Sequence, residues 1–276
     1  MPVFGIGPWG MGGREERNPD NDDVRDITAL RTAIDMGVTH IDTAEIYAAG
    51  RSEELVGEAV KSYDREKLFI VSKAASGHMR HNDLIRACEQ SLTRLQMEYL
   101  DLYLLHRHDL DVDLEETINA LNELVERGLI RNIGLSNFTT ASHQEAATYA
   151  ATPIVATQVH YNIQYREPEY DGLLAHCQEN DCLLIAWRPL SKGEYAQRGV
   201  PVIDDLCETY GKTPAQIALN WLISQKNVVT LSKSSNLDHL TENLGAIGWE
   251  MKPEDIELIR TEYPSQREVS DVAPLA

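Results

Sequence analysis

Four side chains in the first 106 residues could together move a proton: Asp42, Tyr47, Lys73 and His106. Asp42, Lys73 and His106 end or follow short apolar stretches, Val38 to Asp42, Leu68 to Ser72 and Leu100 to Leu105, and Tyr47 follows the first of these. A free phenol titrates near about 10 and is a poor acid at neutral pH. A lysine ammonium beside it favours phenolate and lowers that value, while an aspartate keeps the lysine charged and oriented. A histidine donates a hydrogen bond to a substrate oxygen. The set suits protonation of an oxygen that becomes negative, such as a carbonyl oxygen receiving hydride. Singly, each has a plainer reading: a strand end, a rim aromatic, a solvated lysine. At the ends of three successive strands they read as one site.

Such a site needs a frame that brings strand ends together, and the rest of the chain supplies one. Apolar residues at Val24, Ile27, Leu30 and Ile34 have helical spacing, with Asp22 and Asp23 as caps and Gly37 as a stop. The alternation continues: helices at 52–60, 83–95, 114–127, 141–150, 170–178, 213–224 and 237–244, and strands at 3–7, 38–42, 68–72, 100–105, 130–135, 154–158, 183–186 and 228–231. Eight short strands alternating with amphipathic helices imply parallel pairing through right-handed crossovers. At this length they describe a (β/α)8 TIM barrel, expected as one domain over 1–276. Barrel active sites lie at the C-terminal ends of the strands. The same rim then collects Ser136 and Asn137 after the fifth strand, Gln158 at the sixth, Trp187 at the seventh, and Ser232, Lys233 and Ser234 at the eighth.

The opening stretch Gly5-Ile6-Gly7-Pro8-Trp9-Gly10 spells the G-x-G-x-x-G loop of a Rossmann domain. Its context is wrong. Met11-Gly12-Gly13-Arg14-Glu15-Glu16-Arg17 is too rich in glycine and polar residues to start a phosphate-cradling helix, and the next strand-ending acid, Asp42, lies too far on.

A net charge of −19 argues against nucleic acid and anionic membranes as partners, since both require a basic footprint. No apolar run is long enough to span a bilayer, and no signal peptide opens the chain. Four cysteines without a secretion signal read as reduced thiols in a cytoplasm. Cys177 and Cys182 lack metal-ligand spacing, so a metal site is not expected. With 44 acidic residues against 25 basic ones, of which only eight are lysines, the chain is expected to work in high salt, with an ordinary acidic cytoplasmic protein as the alternative reading.

The residues Ala33 to Tyr47, with Arg51-Ser52-Glu53-Glu54-Leu55-Val56-Gly57, resemble the first signature of the aldo-keto reductase family. Leu92 to Leu95 with Tyr99 to His106 resemble its second block, and Gly128 to Phe138 its third. The resemblance implies a metal-free reductase using reduced nicotinamide to convert aldehydes or ketones to alcohols. Tyr47 would be the general acid, Lys73 and Asp42 its tuning pair, and His106 the residue that orients the carbonyl. Gly7, Ser136, Asn137, Gln158, Trp187, Pro189 and Leu190 would hold the nicotinamide half of the cofactor. Lys233, Ser234 and His239 would meet the 2′-phosphate, and Glu242 and Asn243 the adenine. The family commonly has an arginine where this chain has His239, a proline where it has Ser232 and a small residue where it has Arg188. Lys233 makes NADPH the expected cofactor, and the loss of a guanidinium at His239 makes NADH tolerated. Trp9, Tyr47 and His106, with Tyr161 beside them, are expected to line a shallow, permissive pocket for a small carbonyl substrate, with little tail to cover it. A monomer or small homo-oligomer is expected. Two other readings stay open: a cofactor-binding regulatory subunit, marked by a broken tetrad or an added partner segment, and a lyase using Lys73 as a Schiff base.

Overall fold

Residues 1–233 and 236–276 are described by the computed structural model. Runs of β-branched and apolar residues form β1 (Phe4–Ile6), β2 (His40–Asp42), β3 (Phe69–Ala74), β4 (Leu102–Leu105), β5 (Ile133–Ser136), β6 (Ile154–His160), β7 (Leu183–Trp187) and β8 (Val228–Ser232). All eight pair in parallel and in chain order, and β1 pairs with β8 to close the barrel. Several helices start where the sequence offers caps. Asp22 accepts from Arg25 N at the start of α1 (Asp23–Asp35), and Thr213 forms a reciprocal cap with Gln216. The chain continues through α2 (Arg51–Val60), α3 (His81–Leu95), α4 (Leu114–Glu126), α5 (Thr140–Tyr149), α6 (Glu167–Tyr170), α7 (Leu173–Glu179), α8 (Pro201–Tyr210), α9 (Pro214–Ile223), α10 (Leu237–Leu244) and α11 (Pro253–Glu262).

The structure differs from the sequence reading at several elements, and β2 and β4 each start two residues later than expected. β3 and β6 run further than expected, so Lys73 lies inside β3 and Gln158 two residues before the end of β6. β5 starts at Ile133, and Ile130 makes only an isolated bridge to Leu100. Helices α8 and α11 were not anticipated. Each opens on a proline at its first turn, and Gly211 ends α8 in a left-handed conformation.

Strand alternation sorts the side chains into two shells. Ile41, Ile70, Tyr103, Leu105, Ile133 and Leu135 face outward and pack beneath the helices. Their neighbours Val71, Leu102, Leu104, Ala156, Ile185, Val229 and Leu231 face inward and fill the barrel. Asp42, Lys73, His106, Ser136, Gln158 and Trp187 stand in the inward phase, one step toward the C-terminal ends from that apolar plug. One periodicity thus builds both the floor of the site and the site.

Gly5 belongs to the floor: a Cβ there would lie 2.5 Å from Nδ1 of His40, so the missing side chain makes room for that ring inside the barrel. Among the described residues no helix is long and apolar enough to cross a membrane.

Candidate active site

Lys73 and Asp42 are 0% and 2% exposed and form an ion pair. The Lys73 ammonium also donates to Thr43 O at 2.8 Å and to the Tyr47 hydroxyl at 3.4 Å. The second Asp42 oxygen accepts from Gln158 Nε2 at 2.8 Å. Burial works against the charge of Lys73, but Asp42 and Tyr47 outweigh it and raise the ammonium above its ordinary value. Lys73 stays charged.

Tyr47 lies off the strands, on a tight turn whose next two residues, Ala48 and Ala49, have φ of 50° and 48°. That strained backbone is held from outside, by Ala48 N donating to Arg14 O at 2.6 Å and Ala49 N to Glu15 O at 2.8 Å. The glycine-rich stretch after Gly10 is therefore the clamp that sets the phenol. Burial pushes the Tyr47 phenol up from its ordinary value; Lys73 pulls it down and Asp42 pushes it up again, for a net rise. The lysine lowers it as expected, and burial with Asp42 outweighs that effect.

The His106 ring stands 5.9 Å from that of Tyr47, edge to face, and Trp9 stands 4.8 Å from Tyr47 on another side. Burial, with Lys73 adding to it, holds His106 down at about 3, so the ring is neutral at every working pH. Its Nδ1 is buried without a partner, and its backbone carbonyl accepts from Asn137 Nδ2 at 3.0 Å. The same amide donates to Ser136 Oγ at 3.0 Å, which leaves the buried Asn137 Oδ1 without a partner among the described residues.

Trp187 stacks on His160 at 4.5 Å and 14°, and His160 on Tyr165 at 4.4 Å. One indole face is covered by this stack, and Trp187 also lines the cavity. Burial, then Arg188, holds His160 down at about 4, and Ser270 and Asn162 bond its two ring nitrogens. His160 went unread in the sequence, although it lies two residues past Gln158 in the same inward phase.

A cavity of about 760 Å³ opens at these strand ends. Gly7, Trp9, Asp42, Tyr47, His106, Ser136, Asn137, Gln158, Trp187, Pro189, Leu190, Lys233, His239, Glu242 and Asn243 all line it, with Lys73 buried behind. Ser234 lies outside the described residues. Asn243 Nδ2 donates to Ser232 Oγ at 2.9 Å. Gly10, at φ +86°, makes way for Lys233, since a Cβ there would lie 2.8 Å from Nζ. Of the opening glycines, then, only Gly7 borders the cavity.

Two expectations fail here. Tyr161 does not reach the pocket: past the end of β6 it sits in the outward phase, fully buried, with its hydroxyl bonded to Gln225 at 3.0 Å and to Glu169 at 2.5 Å. The site is also not uncovered. Residues 264–276 return to the rim, where Val272 and Ala273 line the cavity. Glu167 accepts from Ser270 N and Leu275 N, and Ala276 pairs with Asn137 and Thr139 through the backbone. No hydrophobic period marks this segment; isolated hydrogen bonds to Glu167 anchor it.

Comparison with known proteins identifies the family and the fold. A model of the aldo/keto reductase family matches residues 3–263. Methylglyoxal reductase YeaE of Escherichia coli K12 is 34% identical over 271 residues, covering 97% of this chain and 93% of that protein. The thermostable aldo-keto reductase Tm1743, solved with the inhibitor epalrestat, superposes with a TM-score of 0.91 at 43% identity over 95% of each chain. An aldo-keto reductase from Klebsiella pneumoniae, solved with NADPH, gives 0.85 at 35% identity over 98% of this chain and 94% of that one. On its sequence, its closed barrel and its relatives, this chain belongs to the aldo-keto reductase family.

Proposed function

We propose that the protein is a cytoplasmic, NADPH-preferring carbonyl reductase that converts small aldehydes and ketones to alcohols. The observation that carries this reading is the buried Asp42–Lys73 pair bonded to a phenol that faces the cavity beside a neutral histidine. The residues fit a nicotinamide cofactor. The Asn137 Oδ1, unpartnered among the described residues, suits a carboxamide together with Ser136 and Gln158, and the Trp187 indole that lines the cavity suits a ring. A bound reduced nicotinamide supplies hydride to the carbonyl carbon. Tyr47 gives its hydroxyl proton to the carbonyl oxygen, and the charged Lys73 stabilises the phenolate left behind. Neutral His106, with Nδ1 buried, presents its other ring nitrogen to the same oxygen and aims the carbonyl. Asp42 keeps Lys73 charged and in place.

Lys233 supports the preference for NADPH. Burial holds its ammonium below the ordinary value; Asp26 raises it, Arg14 and Arg25 lower it again, and the net fall means that an anion placed there relieves the cation. Replacing Lys233 by Ala is expected to raise KM for NADPH about tenfold while leaving KM for NADH nearly unchanged. Equal effects on both cofactors would contradict the assignment.

The reading is tested by mixing the protein with NADPH and an activated aromatic aldehyde and following the loss of reduced-nicotinamide absorbance. Turnover is expected; its absence overturns the proposal. The acidic surface further supports a protein adapted to salt, since screening removes self-repulsion at −19. The thermal midpoint should rise in molar KCl, and an unchanged midpoint would rule this out.

A further inference from the structure

The cavity inverts the charge of the chain around it. Against 44 acidic and 25 basic residues overall, its wall carries four cations, Arg107, Arg188, Lys192 and Lys233, and two acids, Asp42 and Glu242. Asp42 is already committed to Lys73. Lys233 and Glu242 lie on or beside β8, and Arg188 and Lys192 follow β7, so these line the part of the cavity assigned above to the cofactor. Arg107 does not. It directly follows His106 at the end of β4, four strands from β8 in the closed barrel and therefore on the opposite wall.

Arg107 is exposed, and among the described residues its guanidinium has neither an ion pair nor a hydrogen bond. An arginine left uncommitted in so acidic a chain, adjacent in sequence to the carbonyl-orienting histidine, is placed to meet something that enters from solution. The cavity wall also includes the apolar Ile46, Ala75 and Trp9, the last 39% exposed. Apolar walls with one convergent charge are the usual make-up of a specific small-molecule pocket.

We propose that Arg107 selects carbonyl substrates that bear a carboxylate several bonds from the reacting carbon. The inference rests on the reductase reading of the same site. The apolar wall takes the body of the molecule, Tyr47 and His106 take the carbonyl oxygen, and the guanidinium takes the carboxylate through two parallel N–H bonds. A single guanidinium matches a monoanion; a phosphate dianion would call for a second cation on this wall. The chain's own negative field would otherwise repel such substrates, so an anion-selective group inside the cavity is also what gives them access.

The test compares 4-carboxybenzaldehyde with its uncharged methyl ester as substrates with NADPH at one fixed ionic strength. In the wild type, kcat/KM is expected to favour the carboxylate about tenfold or more, mainly through KM. Arg107→Ala should bring the ratio close to one, Arg107→Glu should reverse it, and Arg107→Lys should keep part of it. A wild-type ratio near one, or a preference that survives in Arg107→Ala, overturns the proposal while leaving the reductase reading intact. Failure of the wild type to reduce either aldehyde overturns the reductase reading and this inference with it.

Discussion

Replacing Tyr47 by Phe is expected to lower kcat for aldehyde reduction by about 10²- to 10⁴-fold, the usual contribution of a positioned general acid, with little change in cofactor affinity. The change removes one hydroxyl and keeps the ring that packs edge-on against Trp9 and His106. The pH profile makes the assignment specific. Reduction needs the protonated phenol, and burial raises that group above its ordinary value despite Lys73. The reduction rate should therefore stay level through neutral pH and fall only above the ordinary tyrosine range, near about 10. Alcohol oxidation needs the phenolate as base and should rise over that same interval. His106 adds no acid limb until about pH 3, because it is already neutral above that. An alkaline loss of reduction centred near pH 7, or a Tyr47→Phe variant with full activity, would remove Tyr47 from the role.

Replacing Lys73 by Met should be the most damaging single change in the molecule. It strands the Asp42 carboxylate in a site where it is 2% exposed, and breaking a buried pair from one side costs about 3–5 kcal/mol. Activity should fall with it, since no cation then faces the phenolate that proton transfer creates. The two losses separate in the double variant with Asp42→Asn. Removing both charges should restore much of the unfolding free energy while activity stays lost. Denaturant unfolding alongside initial rates checks this, and a double variant no more stable than Lys73→Met would mean that the pair is not the source of the loss.

The barrel was legible in the sequence because it rests on two strong periodic signals, helical spacing and short apolar strands. The four candidate residues, Asp42, Tyr47, Lys73 and His106, were legible as a group because their types and their places at or after strand ends suit proton transfer, and the structure brings them together. The side-chain phase along each strand decides more. It sends Gln158 and His160 inward and Tyr161 outward, which is why the tyrosine expected at the pocket lies under a helix and the unexpected histidine supports Trp187. The setting of Tyr47 was beyond sequence reading for another reason. Its turn is fixed by backbone hydrogen bonds that Ala48 and Ala49 donate to the carbonyls of Arg14 and Glu15, more than thirty residues away in the chain, and such bonds leave no trace in residue type. The returning segment 264–276 is held in the same way, through Glu167 and backbone pairs. Net pKa directions were equally hidden: sequence supplies the lysine beside the phenol but not the burial that outweighs it.

The opening glycines also divide differently from their spelling. Gly5 makes room for His40 inside the barrel, Gly7 borders the cavity, and Gly10 clears space for Lys233. None of the three needs a Rossmann helix.

The central claim is direct hydride transfer to a carbonyl carbon in a cavity where Tyr47 supplies the proton. It is tested most directly by reducing an aromatic aldehyde with NADPH deuterated at the transferring position of the nicotinamide and locating the label in the product. The account predicts one deuterium on the carbinol carbon, none on oxygen in ordinary water, and the same product formed far more slowly by Tyr47→Phe. An alcohol that carries no label on carbon would contradict it.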